Sequence, residues 1–244
     1  MVEPFYMMQL QLPARLVYQT LIQYDAKMGS DDGYRLHALL VGLFGEAAPR
    51  PFCYRTVGRH VEVLGYSDQN ADMLLESARL FGEPAIVTEL QGHLHAKPVP
   101  EVAAGRRLGF RVNVLPTVRT CSRHFRKKGA EVDVWVAACR QQADSGLSLE
   151  RGVVYANWFR ESVERQGGVK VESLRLDAMR GLRLARRTAE RGFKHHEKRE
   201  VVFQGTLETV DAVAFRALLR RGVGRHRAFG FGMLRLSPPG PREG

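Results

Sequence analysis

Residues 203–236 read FQGTLETVDAVAFRALLRRGVGRHRAFGFGMLRL. Arg199 to Leu207 (REVVFQGTL) alternates and is rich in β-branched and aromatic residues, which predicts a strand. Asp211 caps a predicted helix through Arg221, with Phe215, Leu218 and Leu219 inward. Gly222 to Gly232 (GVGRHRAFGFG) then interleaves four glycines with Arg225, His226, Arg227 and two phenylalanines, before a last strand over Phe231 to Leu236. Glycine admits positive φ and close approach of a ligand to the backbone. Exposed amides at Gly222 and Gly224, beside Arg225, His226 and Arg227, suit a phosphate. A GxGxxG starting at Gly222 needs glycine at 227, which is arginine, and no GK[ST] follows, so neither nucleotide fingerprint is present. The loop also joins helix to strand, the reverse of both motifs. The plainer alternative is a tight basic turn whose glycines serve backbone geometry alone.

Upstream, the same element types recur. Phe5 to Leu12 reads as a strand ending at Pro13, and Ala14 to Tyr24 as a short helix. Gly29 to Gly33 is loop chemistry. Tyr34 to Phe44 is helical, with Leu36, Leu39, Leu40 and Leu43 on one stripe. Phe52 to Val57 and His60 to Tyr66 form a predicted hairpin. Ala71 to Phe81 is a second helix with Met73, Leu74, Leu75 and Leu80 apolar, and Ile86 to Leu94 is expected extended. That order, βαββαβ, is the ferredoxin-like plan. Pro98, Pro100 and Gly105 mark a linker, placed at 99–105 between units at 1–98 and 106–244. In the second unit, Leu108 to Leu115 and Val169 to Leu176 read as strands. Glu131 to Gln142 and Leu149 to Gln166 read as helices, the latter broken by Gly167 and Gly168. The fold class is therefore α+β: two tandem ferredoxin-like domains, the second carrying a basic, partly helical insertion at about 120–195, with no sequence repeat between them.

The 244 residues carry 37 Lys plus Arg against 26 Asp plus Glu, a formal net charge of +11. The excess is local. Residues 1–100 hold 8 basic and 11 acidic residues, whereas 101–244 hold 29 and 15. A basic half of this kind faces a polyanion, and nucleic acid is the commonest one. A hydrophobic fraction of 44% excludes wholesale disorder. No run of 18 apolar residues exists, so no spanning helix and no membrane partner is expected. Met1 to Gln11 lacks the basic and apolar blocks of a secretory signal. Three scattered cysteines, none in a CxxC pair, argue against a disulfide framework or structural zinc and fit a cytoplasmic setting.

Gln204-Gly-Thr-Leu, the helix, and GVGRHRAFGFGMLRL resemble the C-terminal signature of the CRISPR precursor-RNA endonucleases, nearest the CasE-type branch of type I-E systems. Phe110-Arg-Val-Asn-Val resembles the strand opening that family's second domain, and Tyr34-Arg-Leu-His37 its active-site segment. A processing enzyme of a type IV system, a diverged relative with an Arg-rich helical insertion, resembles the chain about as well. The resemblance implies a metal-independent endoribonuclease without cofactor. The 2′-hydroxyl beside the scissile phosphate attacks, leaving 2′,3′-cyclic phosphate and 5′-hydroxyl ends. It also implies two partners: precursor and mature crRNA with a repeat hairpin, and the other subunits of a multi-subunit effector complex.

That chemistry needs a base, an acid and fixed cations. Histidine titrates near working pH. At about 100° per residue, His37 lies on the flank of the leucine stripe and Tyr34 within about 60° of it. His37 is the candidate general base, with Tyr34 assisting. A surface helix histidine is the bland alternative. Arg119, Arg123 or Lys127 are candidates to stabilise the phosphorane. RNA contacts are expected from Arg106, Arg107, Arg111, Arg119, Arg123, Arg126, Lys127 and Lys128, and from Arg180, Arg183, Arg187 and Arg191 along one helical face. The glycine-rich loop adds Gly222, Gly224, Arg225, His226 and Arg227, with His226 disfavoured for protonation by its arginine neighbours. His93 and His95 share a strand face without a carboxylate or cysteine beside them, and His195-His196 read as a solvated turn. No metal site is expected. Two rival readings remain: a catalytically silent crRNA-binding subunit, and an unrelated ferredoxin-like RNA-binding module.

Overall fold

The structure is a computed structural model describing residues 3–24, 32–120, 129–142, 149–187 and 193–240. Strand β1 (Tyr6–Pro13) buries Met8, Leu10 and Leu12 on one face and carries Gln9 and Gln11 on the other, the period-2 pattern of a half-buried strand. Helices α1 (Ala14–Tyr24) and α2 (Asp32–Phe44) follow, then the hairpin β2 (Phe52–Val57) and β3 (His60–Ser67). Helices α3 (Ala71–Phe81) and α4 (Pro84–Leu90) lead to β4 (Leu94–Pro98). The sheet order is β2-β3-β1-β4, antiparallel throughout. The leucine stripe of α2 (Leu36, Leu39, Leu40, Leu43), Leu74 and Ala78 of α3, and Ile86 and Leu90 of α4 bury against Met8, Leu10 and Leu12. Asn70 accepts the Met73 N–H and starts α3.

The second half repeats the plan. Strand β5 (Arg107–Val114) leads to a small hairpin, β6 (Thr117–Arg119) with β7 (Glu131–Asp133), and to α5 (Val134–Gln141). Helix α6 (Arg151–Glu164) precedes the long pair β8 (Val169–Arg187) and β9 (Phe193–Thr209); α7 (Ala212–Arg221) and β10 (Arg235–Ser237) close the chain. The order β10-β5-β9-β8 matches the first sheet, so both halves are ferredoxin-like. Phe110, Val112 and Val114 of β5 pack with Tyr155, Phe159 and Val163 of α6 and Phe215, Leu218 and Leu219 of α7.

Tyr66 ties the halves together. It stacks on Phe5 at 5.0 Å, joins the second core, and donates its buried hydroxyl to the Leu234 carbonyl at 2.8 Å. Arg216 and Arg220 of α7 lie over the Phe5 ring and donate to the carbonyls of Glu3, Pro4 and Val99.

Several sequence expectations need correction. Residues 86–94, expected extended, are mostly α4: Pro84 sits at the helix start, where its missing N–H costs nothing. Met73 and Leu80 of α3 are 48% and 78% exposed, because Leu74 and Ala78 face the core instead. Glu131 belongs to β7, not to a helix, and pairs opposite Arg119. Residues 180–187 continue β8 rather than forming a helix, and His195 and His196 lie in β9 rather than a turn. His93 precedes β4, so it shares no strand face with His95. Helix α6 is a core helix of the second unit, leaving β6, β7 and α5 as the inserted part. The last strand, Arg235–Ser237, is shorter than expected, because Gly230 and Gly232 take positive φ and interrupt the extended run ahead of it. Most of the Gly29–Gly33 loop lies outside the described residues.

Candidate active site

Tyr34 and His37 stand one turn apart on α2, at the rim of its buried stripe. The glycine-rich loop meets them there. Gly222 ends α7 with φ +70°. At the loop base, Val223 N–H donates to Gly232 O at 2.8 Å and Gly232 N–H to Asn113 O at 2.7 Å, with Val223 and Phe231 buried as anchors. Between these anchors, His226 (φ +60°) and Gly230 (φ +89°) flank a single 3-10 turn, Arg227–Phe229. The turn presents Phe229 to α2. Its ring stacks on Tyr34 (5.5 Å, 10° between planes) and meets the His37 ring edge-on (5.2 Å, 87°). A side chain at 230 would stand 2.6 Å from the Tyr54 ring, so glycine is required there on both dihedral and steric grounds.

The site is strongly cationic. Burial, and then the nearby Arg50 charge, push the His37 pKa below its ordinary value of about 6.5. Neutral imidazole therefore predominates at pH 7. Arg227 is disfavoured by burial and by the charges of Arg50, Arg221 and Arg225, which shows four guanidinium groups sharing one neighbourhood. Such a cluster is relieved by an anion, and phosphate suits arginine's planar fork.

One carboxylate answers this charge. Glu131 of β7 accepts from Arg225 Nε at 2.9 Å and Lys198 Nζ at 2.8 Å, and its Oε1 lies 2.7 Å from His226 Nε2. Burial opposes its ionisation, but the bonds from His226 and Lys198 outweigh that and hold it well below the usual carboxylate range. The influence expected on His226 from Arg225 and Arg227 is thus joined by a carboxylate in direct contact with its ring.

The structure brings together Tyr34, His37, Arg225, His226 and Arg227 of the residues named from sequence. The others are spread more widely. Arg106 is exposed before β5, and Arg119 is exposed at the end of β6. Arg107 pairs with Glu172, and Arg111 with Asp177 and Gln204. Arg180 and Arg183 sit opposite Glu200 and Glu197 in the β8–β9 ladder. Three residues apart in a strand, they point to opposite sheet faces rather than along one helical stripe. Arg187 also falls in β8. Arg123, Arg126, Lys127, Lys128 and Arg191 lie outside the described residues. Sequence reasoning missed Phe229, Arg50 and Glu131. Phe229 carried a weak signal, as one of two phenylalanines in a basic, glycine-rich loop. Arg50 and Glu131 carried none, since each meets the site only through tertiary contact.

The site is thus a glycine-rich basic loop wedged on a Tyr–His helix in a pair of ferredoxin-like units. A family model described as CRISPR associated protein matches residues 5–238. The chain belongs to that CRISPR-associated family, and its matches lie on the CasE-type, type I-E side of the resemblance. Over 143 residues it is 32% identical to the CRISPR-associated endoribonuclease Cse3 of Thermus thermophilus, an alignment covering 57% of this chain and 59% of that protein. It thus spans about three fifths of the length of the curated relative it matches. Among solved structures it is similar to Cse3 bound to a 19 nt RNA, with 21% identity, coverage of 96% of this chain and 100% of that one, and a TM-score of 0.64. It is also similar to Cas6e of Escherichia coli K-12, with 19% identity, coverage of 96% and 99%, and a TM-score of 0.57. At these identities the likeness is one of fold. Among the described residues, no helix is long and apolar enough to cross a membrane.

Proposed function

We propose that this chain is a CRISPR repeat-RNA endoribonuclease. It binds a hairpin repeat, cuts precursor crRNA by 2′-hydroxyl attack without a metal, and keeps the product within an effector complex. The observation that carries this reading is the contact of Phe229 with both Tyr34 and His37, which seats the basic loop on the candidate base. The relative named an endoribonuclease and the fold neighbour bound to RNA support it.

Each residue has a derived task. Neutral His37 accepts the 2′-hydroxyl proton. Tyr34, stacked on Phe229, holds its hydroxyl near the same reacting group. Arg50 and Arg227, near the candidate base, join Arg119, Arg123 or Lys127 as the cations that stabilise the charge growing on the phosphorane. The exposed arginines of β8 add sequence-independent affinity for a stem, which is read largely by shape.

The test is cleavage of a labelled hairpin repeat RNA in EDTA by wild type and His37→Ala. Wild-type cutting with a cyclic-phosphate end, lost in the variant, is the expected result. Binding without cutting by both proteins would establish the silent subunit instead.

A further inference from the structure

We propose that His226 is a second catalytic histidine, the proton donor to the departing 5′-oxygen, and that Glu131 is its positioning residue. The inference rests on the 2′-hydroxyl-attack reading above. In-line attack puts the entering 2′-oxygen and the leaving 5′-oxygen at opposite apices of the phosphorane. One imidazole cannot serve both apices at once, so a base at His37 leaves the acid to be found.

Three features of His226 meet that need. First, it shares a ring with His37: its centroid lies 6.1 Å from Phe229, against 5.2 Å for His37. Two imidazoles therefore stand at the rim of one aromatic platform, among the arginines that suit a phosphodiester. Second, it is the one non-glycine residue with positive φ among those described. Backbone in that region costs energy and persists where surrounding contacts over-determine it, a pattern common at functional sites. Third, its Nε2 is held by the Glu131 carboxylate at 2.7 Å. A carboxylate on one ring nitrogen fixes the ring's orientation and stabilises the imidazolium, leaving Nδ1 as the nitrogen that serves substrate. The two imidazoles thus differ in their direct partners: the Glu131 carboxylate contacts the ring of His226, whereas Arg50 is the charge near His37.

The step balances. His37 takes the 2′-hydroxyl proton as the 2′-oxygen bonds to phosphorus. The bond from phosphorus to O5′ breaks, and Nδ1 of His226 gives its proton to O5′. The products are the 2′,3′-cyclic phosphate and the 5′-hydroxyl, with His37 protonated and His226 neutral until solvent exchanges the proton.

The experiment is single-turnover cleavage of a hairpin repeat RNA, made with either oxygen or sulfur at the bridging 5′ position of the scissile phosphate. A thiolate leaves without protonation. His226→Asn is the variant of choice, because asparagine tolerates the left-handed backbone and its amide cannot give up a proton to O5′. The expected loss on the oxygen substrate is about 10²- to 10⁴-fold, with the sulfur substrate cut at close to the wild-type rate. His37→Ala is slow on both. Glu131→Gln shows the same selective rescue at smaller magnitude. Equal slowing of His226→Asn on both substrates, or wild-type cutting of the oxygen substrate, overturns the acid role and leaves the nuclease standing. A wild type that cuts neither substrate overturns the nuclease reading and this inference with it.

Discussion

Replacing Gly230 by alanine tests whether the loop must lie against Tyr54 to hold Phe229 in place. Two costs add. Residue 230 has φ +89°, and an L-residue in left-handed backbone costs about 1–2 kcal/mol. The new Cβ would stand 2.6 Å from Tyr54 Cε1 and 2.9 Å from Cδ1. Carbon contacts are comfortable at about 3.5–4.0 Å, so the ring or the loop must withdraw by about 1 Å. Forced overpacking of this kind costs about 1–3 kcal/mol. The expected destabilisation is therefore about 2–5 kcal/mol, or a Tm loss of about 4–20 °C for a chain of this size. Gly58→Ala is the control: its φ is +58° and nothing lies within 4 Å of the added carbon, so it carries the dihedral cost alone. The assay is thermal unfolding of wild type, Gly58→Ala, Gly230→Ala, Tyr54→Ala and the Gly230→Ala/Tyr54→Ala pair. Tyr54→Ala must relieve the steric part, giving a coupling energy of about 1–3 kcal/mol. A Gly230→Ala protein no less stable than Gly58→Ala, with no coupling to Tyr54, would refute the reasoning.

Four further outcomes are expected. His37 titrates below its ordinary value because it is buried beside Arg50, so Phe229→Ala, which opens its surroundings, raises that pKa; an NMR titration of the ring reads the direction. With His37 as base, the acid limb of the cleavage profile rises with pH through the same value. Tyr66→Phe strips the buried Leu234 carbonyl of its donor and lowers stability by about 1–3 kcal/mol in urea unfolding. Glu131 has a folded pKa depressed below its unfolded value of about 4.3, so its contribution is full above that pH and is lost as pH falls. The stability gap between wild type and Glu131→Gln is therefore widest near neutrality and narrows toward pH 3, as urea midpoints across that range will show.

The legible parts of the sequence were those where one period dominates. The leucines of α2 and the alternation of β1 each specify a face without help from elsewhere. The failures have physical reasons. In residues 180–191, arginines at 180, 183, 187 and 191 fit a helical stripe, yet Leu182 and Leu184 alternate with Arg183 as in a strand. The pairing with β9 decided between the two periods, and a partner strand is invisible locally. Glu131 read as the first residue of a helix because Val134 to Gln141 is one; its own strand exists only through β6. At the site, His37 and Tyr34 were named because Tyr34-Arg-Leu-His37 resembles the family's active-site segment, with helical spacing placing the two on one flank. Arg50 and Glu131, respectively 13 positions after His37 and 95 before His226, were not.

The two halves share no sequence repeat, but they repeat a device in register. Arg55 of β2 lies directly opposite Glu62 of β3, and Arg180 of β8 directly opposite Glu200 of β9. These are the same two strands of the ferredoxin plan. In each case the arginine side chain is about two thirds exposed while the carboxylate is nearly buried, at 8% and 4%. In each case an amide from the first strand completes the set: Gln9 and Gln11 donate to Glu62, and Asn113 to Glu200. The reason is common to both. The sheet face away from the helices becomes partly covered where the halves meet, and a carboxylate there needs several donors to stay charged. For Glu62, the bond from Arg55 is the largest influence holding its pKa below the ordinary carboxylate range. The exposed guanidinium is held in turn, with its position fixed from beneath. A fixed surface cation loses less side-chain freedom on meeting phosphate than a mobile one. The positive charge of this chain is therefore not simply a surplus of arginines: at two related places, a buried acid sets where the cation stands.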